Sequence, residues 1–293
     1  MISEPTFGNG FSFFGKLPQF PDFIKHKAVS DEFSILDNWI QKGIISSKLS
    51  FGNSWKEFYD GSQSFEFIFP IESSDKIICG ILHPGMDKSG RQFPFIVFTL
   101  FRREFFSSFR IGTAPLVLNS FFYKAKQLFL FSLKSQGLNE IVNEFNKAEI
   151  RIGSVIAAEN VFEEYLSATT LLELINRLKF KSVNEKNNRS NSTETFSMSF
   201  CSDDENINFD TGYIIELIRI KMRSQKNIPY IFKTSDQNFK VSLYVYPALP
   251  EPTEFPKLIS GKVSDLNLKD FISTENLNII LKDLIINKPK VFN

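Results

Sequence analysis

Apolar positions along this chain recur with two different periods. Phe33, Leu36, Trp39, Ile40 and Ile44 are spaced by three or four residues, the signature of one helical face. Ser30 or Asp31 stands just ahead of them, where a helix needs a cap. A shorter helix over 54–60 gathers Trp55, Phe58 and Tyr59. Strand patterns occur at 11–17, 64–70, 76–83 and 92–101, the last three as consecutive, mostly antiparallel neighbours. Pro18 and Pro21 stop pairing after the first of them. Helical periods return at 115–134, 139–147 and 158–180. Beyond them lie a strand at 196–201, a helix at 212–223, strands at 230–233 and 240–246, a Pro-rich loop, and a closing helix at 277–286. The polar stretch SVNEKNNRSNST has no period and reads as a flexible segment at about 182–194. This order predicts an α/β protein: a mixed, mostly antiparallel sheet flanked by helices on both faces, an α/β/α sandwich. The expected division is a domain at 10–260 and a helical extension at 261–293.

Composition narrows the function classes. The chain has 293 residues, with 34 basic against 33 acidic side chains, so no net field draws it to nucleic acid or anionic lipid. Phenylalanine is abundant, 34 residues against 7 Tyr and 2 Trp, and many of these rings must be buried. Two distant cysteines, Cys79 and Cys201, make no disulfide framework. The first residues lack the charged and apolar regions of a signal peptide. The longest apolar run, 93–101, is too short to cross a bilayer. The expectation is a cytoplasmic protein without membrane insertion.

Candidate chemistry is sparse. Gly10-Phe-Ser-Phe-Phe-Gly15-Lys16 fits G-x-x-x-x-G-K, but Leu17 stands where a phosphate loop needs Ser or Thr, and bulky rings fill the cradle. The two histidines, His26 and His83, find no ligand set; Cys79 and His83 offer two ligands at most. No nucleophile motif is present, so no catalytic residue, metal or cofactor is expected. Three features remain: Gly15-Lys16-Leu17-Pro18 followed by Asp22-Phe23, the pair Trp39 and Trp55, and the stretch Pro84-Gly-Met-Asp87-Lys-Ser-Gly90-Arg91-Gln-Phe93-Pro94. In the last, Asp87 is placed to accept backbone N–H groups, Gly90 supplies a positive φ, and Arg91 brings five fixed donors. Asp22 is a candidate partner for Arg91, and a turn held by an ion pair and a binding role are both open.

In this order the three features resemble the TagF (also called ImpM) family, accessory proteins of bacterial type VI secretion. The carrying residues are Phe13-Phe-Gly-Lys-Leu-Pro-Gln-Phe-Pro-Asp-Phe23 and Pro84-Gly-Met-Asp-Lys-Ser-Gly-Arg-Gln-Phe-Pro-Phe95. Two positions depart from the family pattern: Pro21 stands for a glycine and Gly85 for a serine. The resemblance is clear over about 11–125, with a fainter one at Val241–Pro250. It implies a non-enzymatic cytoplasmic regulator that represses secretion after translation, with an FHA-domain scaffold protein as partner. Alternatives are a nucleotide-binding switch on Gly10–Lys16 and a structural part of the secretion baseplate. The residues singled out as a motif or partner-binding cluster are Lys16, Asp22, Phe23, Trp39, Trp55, Asp87 and Arg91.

Overall fold

The computed structural model describes residues 10–178, 196–222 and 228–261. In chain order the elements are β1 (Ser12–Gly15), β2 (Ile24–His26), α1 (Asp31–Phe51), α2 (Trp55–Asp60), β3 (Phe65–Pro70), β4 (Lys76–His83) and β5 (Phe95–Arg102). There follow α3 (Arg103–Ser107), α4 (Ala114–Val117), α5 (Asn119–Lys134), α6 (Leu138–Lys147), α7 (Val155–Ala168) and α8 (Leu171–Arg177). The last group is β6 (Phe196–Cys201), α9 (Ile207–Lys221), β7 (Tyr230–Ser235), β8 (Lys240–Tyr246) and α10 (Phe255–Ser260). The predicted α/β class holds, and every strand pair with a defined register is antiparallel. The predicted segment 182–194, helix 277–286 and the extension from 262 onward lie outside the described residues.

The chain divides into two compact units. The first contains the described residues through Arg103, then Ser120–Ile152, then the residues from Pro250 onward. Its strands run β2-β1-β5-β4-β3. Helix α1 starts where the sequence placed it: Ser30 Oγ accepts the Phe33 N–H at 3.2 Å, and Phe33, Leu36, Trp39, Ile40 and Ile44 turn inward. Successive residues of β5 meet helices on opposite faces of the sheet. Phe98 stacks on Phe33 of α1 with centroids 4.7 Å apart. Phe95 and Phe101 point the other way, to Phe129 and Phe121 of α5. Strands covered on both faces bury both sets of side chains, so β4 and β5 read as nearly continuous apolar runs. The expected burial of phenylalanine is met here, with Phe11, Phe13, Phe67, Phe69, Phe95, Phe98, Phe101, Phe121 and Phe145 all shut off from solvent.

Three departures from the sequence pattern have local causes. The expected helix 115–134 is two helices, α4 and α5, broken at Leu118, whose backbone leaves the helical basin at φ −91°, ψ 2°. The expected helix 158–180 also divides. Thr169 is extended, and Thr170 opens α8 with a capping box in which its side chain and that of Glu173 satisfy each other's backbone N–H. The Pro-rich loop carries α10, with Pro256 in the first turn, where a missing N–H costs nothing. Trp39 ties down that segment: Nε1 donates to the Pro250 carbonyl at 2.7 Å, and the ring meets Phe255 edge-on at 5.3 Å.

The second unit comprises Glu104–Asn119 and the described part of Gly153–Leu249. Its strands run β7-β8-β6, and α9 begins at Ile207, five residues before the expected start. Two acids on α9 are fully buried and paired. Asp210 accepts from Tyr165, Arg177 and Ser202, and Glu216 accepts from the Gly112 N–H at 2.8 Å and Arg219 Nε at 2.7 Å.

Candidate functional site

The two motifs meet in the first unit. The segment Gly10–Lys16 is no phosphate loop: Ser12–Gly15 are extended and paired with β2 and β5. Lys16 follows the strand and is buried. Its Nζ donates to Asp87 Oδ2 at 2.9 Å and lies 4.6 Å from the centroid of the Phe23 ring. The ammonium is therefore committed within the fold.

Asp87 organises the second motif as its sequence position implied. Oδ1 accepts the backbone N–H groups of Ser89 at 2.9 Å and Arg91 at 3.0 Å, closing the turn. Oδ2 accepts Lys16 Nζ and, at 2.7 Å, Arg91 Nε. Gly90 occupies the expected left-handed region at φ 79°. Desolvation raises the affinity of the Asp87 carboxyl for a proton. The hydrogen bonds from Lys16, Arg91 and Ser89 outweigh it and hold the group well below the ordinary carboxylate range. Asp87 is thus a buried anion with four donors, and the loop is folded around it.

Arg91 is held along one edge. Besides Nε on Asp87, Nη2 donates to the Pro21 carbonyl at 2.8 Å. Its separation from Asp22 Oδ1 is 3.6 Å, and both side chains are more than half exposed. The expected Asp22–Arg91 pair is therefore the weaker of the two ion pairs of Arg91, and Asp87 is the principal partner. Asp22 Oδ1 also accepts the Phe23 N–H at 2.8 Å. The Lys88 N–H reaches the Phe20 carbonyl at 2.8 Å, joining the loops by backbone as well. Phe23 stacks on Phe14 at 5.2 Å and meets Phe93 edge-on at 4.9 Å, yet is 43% exposed.

The structure brings Lys16, Asp22, Phe23, Asp87 and Arg91 together, with Lys16 and Asp87 inside and the other three at the surface. Trp39 and Trp55 stand apart from that surface. Both are buried, Trp39 against Phe69 and Phe255, Trp55 against Tyr59 at 4.9 Å. Sequence reasoning passed over two residues that set the loop. Tyr59 Oη donates to the Gly85 carbonyl at 3.1 Å and accepts the Gly85 N–H at 3.0 Å. A Cβ on Gly85 would lie 2.4 Å from the Lys16 carbonyl oxygen and 2.7 Å from that of Phe93, so glycine is required here. No local signal marks Tyr59, because its pattern is that of any inward-facing helical aromatic.

Elsewhere in this unit Ser64 Oγ and His83 Nδ1 are 2.5 Å apart, a nucleophile beside a base in outline. Burial lowers the His83 pKa to about 4, far below what efficient general-base catalysis at neutral pH needs. The two residues are the cross-strand neighbours that extend the β3–β4 register past Phe65 and Leu82. Among the described residues no group of three or more His, Cys, Asp or Glu is placed to hold a metal ion. No described helix is long and apolar enough to cross a membrane.

Residues 12–147 match the TagF N-terminal domain, a type VI secretion-associated family, and both motif loops fall inside the match. The chain carries a TagF N-terminal domain. The match covers a little under half of the chain, and the family it names is type VI secretion-associated. No curated protein matches the sequence. The crystal structure of PA0076 from Pseudomonas aeruginosa PAO1 has a similar fold, with a TM-score of 0.55 at 15% identity. The likeness spans 87% of this chain and 96% of that one, well beyond the TagF N-terminal domain itself.

Proposed function

We propose that this chain is a TagF-family protein, a non-enzymatic, cytoplasmic regulator that restrains type VI secretion after translation by binding a component of the apparatus, an FHA-domain scaffold protein. One observation carries the reading. The two loops within the TagF N-terminal domain converge on a single surface, where buried Lys16 and Asp87 fix the exposed residues Asp22, Phe23 and Arg91. A buried ion pair is an expensive device, and here it holds exposed groups in place rather than filling the core. Exposed aromatic and arginine side chains on a rigid frame are the residue types that dominate protein–protein contacts.

The test is a titration of the full chain against the FHA-domain scaffold encoded in the same secretion cluster, beside a secretion assay in cells that lack or overproduce the chain. The proposal expects saturable micromolar or tighter binding, more secretion without the chain and less with an excess. Absence of binding, with secretion unchanged in both strains, would refute it.

A further inference from the structure

We infer that the face formed by Phe23, Lys88 and Arg91 is a docking site for an acidic peptide segment of a protein partner, one in which an Asp or Glu lies beside an apolar side chain. The inference rests on the reading of this chain as a binding protein and adds the chemistry of what it binds.

The first support is the state of Arg91. Nε and Nη2 are fixed by Asp87 and the Pro21 carbonyl, so the guanidinium plane cannot swing. Among the described residues Nη1 meets no acceptor, and the side chain is 56% exposed. A guanidinium tethered on one edge and open on the other has already lost most of the freedom that binding a carboxylate would cost it. Lys16 and Arg91 face Asp87 and Asp22, two cations to two carboxylates, and the Asp22 contact, 3.6 Å between groups that are both more than half exposed, is screened by solvent.

The second support is the charge of the two loops. Residues 16–25 and 84–94 carry Lys16, Lys25, Lys88 and Arg91 against Asp22 and Asp87, four cations to two carboxylates. Lys16 and Asp87 are buried, so the exposed charges are Lys25, Lys88 and Arg91 against Asp22 and Asp60, the last accepting from Gln92 Nε2 at 2.9 Å, three cations to two carboxylates. Lys25 and Lys88 are exposed. Such a face attracts acidic segments and disfavours basic ones.

The third support is Phe23. Its ring is fixed by Phe14 and Phe93 and rests beside the Lys16 ammonium, leaving part of it to solvent. Arg91 Nη2 lies 3.6 Å from the carboxylate of Asp22, the residue preceding Phe23, so the apolar anchor and the cationic fork are adjacent. A segment with a carboxylate and a neighbouring apolar side chain engages both at once. An acidic segment without one leaves Phe23 wet, and an apolar segment without an acid leaves Arg91 unpaired.

The experiment is selection of a randomised, phage-displayed peptide library on the full-length chain, followed by titration of the enriched peptides. Variants are Phe23→Ser, Lys88→Glu and Arg91→Gln. Lys88→Glu is the safeguard, since among the described residues the Lys88 side chain makes no hydrogen bond or ion pair and its reversal leaves the loop intact. The expected result is enrichment of Asp or Glu next to an aromatic or aliphatic residue. Each variant should weaken binding at least tenfold, and Lys88→Glu should melt as the wild type does. Enriched peptides without an acid, or peptides indifferent to Lys88→Glu and Phe23→Ser, would overturn the inference, as would no enrichment at all. The two readings fail separately. A scaffold that binds wild type and all three variants equally leaves the regulator in place and removes this face. Acidic peptides that need this face, with no binding by the scaffold, leave the face and remove that partner.

Discussion

Tyr59 holds the Arg91 loop through one oxygen atom, and replacing it with phenylalanine isolates that contribution. The ring survives in Tyr59→Phe, so its packing on Trp55 is kept and only the hydroxyl is lost. The Gly85 carbonyl retains a bond from the Phe93 N–H at 2.9 Å, but the buried Gly85 N–H loses its partner. An unsatisfied buried donor costs about 1–3 kcal/mol, so about 2 kcal/mol is the expected loss. At ~2–4 °C per kcal/mol for a protein of this size class, the melting temperature should fall by about 4–8 °C. The damage should also be local. The Ser89 and Arg91 amides are held by Asp87 on the same loop, and loosening it by about 2 kcal/mol predicts roughly 30-fold faster hydrogen exchange there. Amides of α1, such as Ile40, should change less. A melting temperature within about 1 °C of wild type, with Ser89 and Arg91 protection unchanged, would show that Tyr59 does not hold the loop.

Gly85→Ala should be worse than Tyr59→Phe, by at least about 3 kcal/mol, because its Cβ meets two backbone carbonyl oxygens that no rotamer change can move; denaturant unfolding of both variants gives the ranking. His83 makes stability depend on pH. Burial depresses its folded pKa to about 4 from 6.5, so the contribution of the neutral ring is complete above pH 6.5 and is lost as pH falls toward 4. Between pH 7.5 and 4.5 this amounts to roughly 2–3 kcal/mol, and His83→Gln should flatten the profile by that much. Asp87 is ionised in both folded and unfolded states over most of that window and leaves the comparison clean. In the second unit, Thr170→Ala removes the capping box of α8 and should cost about 1 kcal/mol, read as loss of protection at Leu174 and Leu178.

Much of the fold was legible because local and tertiary preferences agree. Strand β4 has the predicted bounds, since Lys76 and His83 are the polar ends of an otherwise apolar run. Helix α1 is capped by Ser30, one of the two caps considered. The breaks at Leu118 and Thr169 were invisible, because apolar residues keep helical spacing across both while the backbone turns. Strand β2 has three residues, too few to show a period, and exists through its register with β1. At the site, motif spacing identified Lys16, Asp22, Phe23, Asp87 and Arg91 but not their division of labour. That Asp87 rather than Asp22 holds Arg91 depends on burial, which residue types alone do not disclose. The same holds for Gly85, whose lack of a side chain reflects the approach of the Lys16 and Phe93 carbonyls from distant parts of the chain.

The central proposition is that this protein works by protein contact at the face carrying Phe23 and Arg91. A photo-crosslinking amino acid placed at position 23, in cells with an active type VI system, addresses it without assuming the partner. Position 49 on α1, where Leu49 is 82% exposed, serves as the control. The expected result is a covalent adduct with a secretion component, the FHA-domain scaffold, from position 23 and not from position 49. Equal capture at both positions, or none at position 23 while secretion is being restrained, would contradict it.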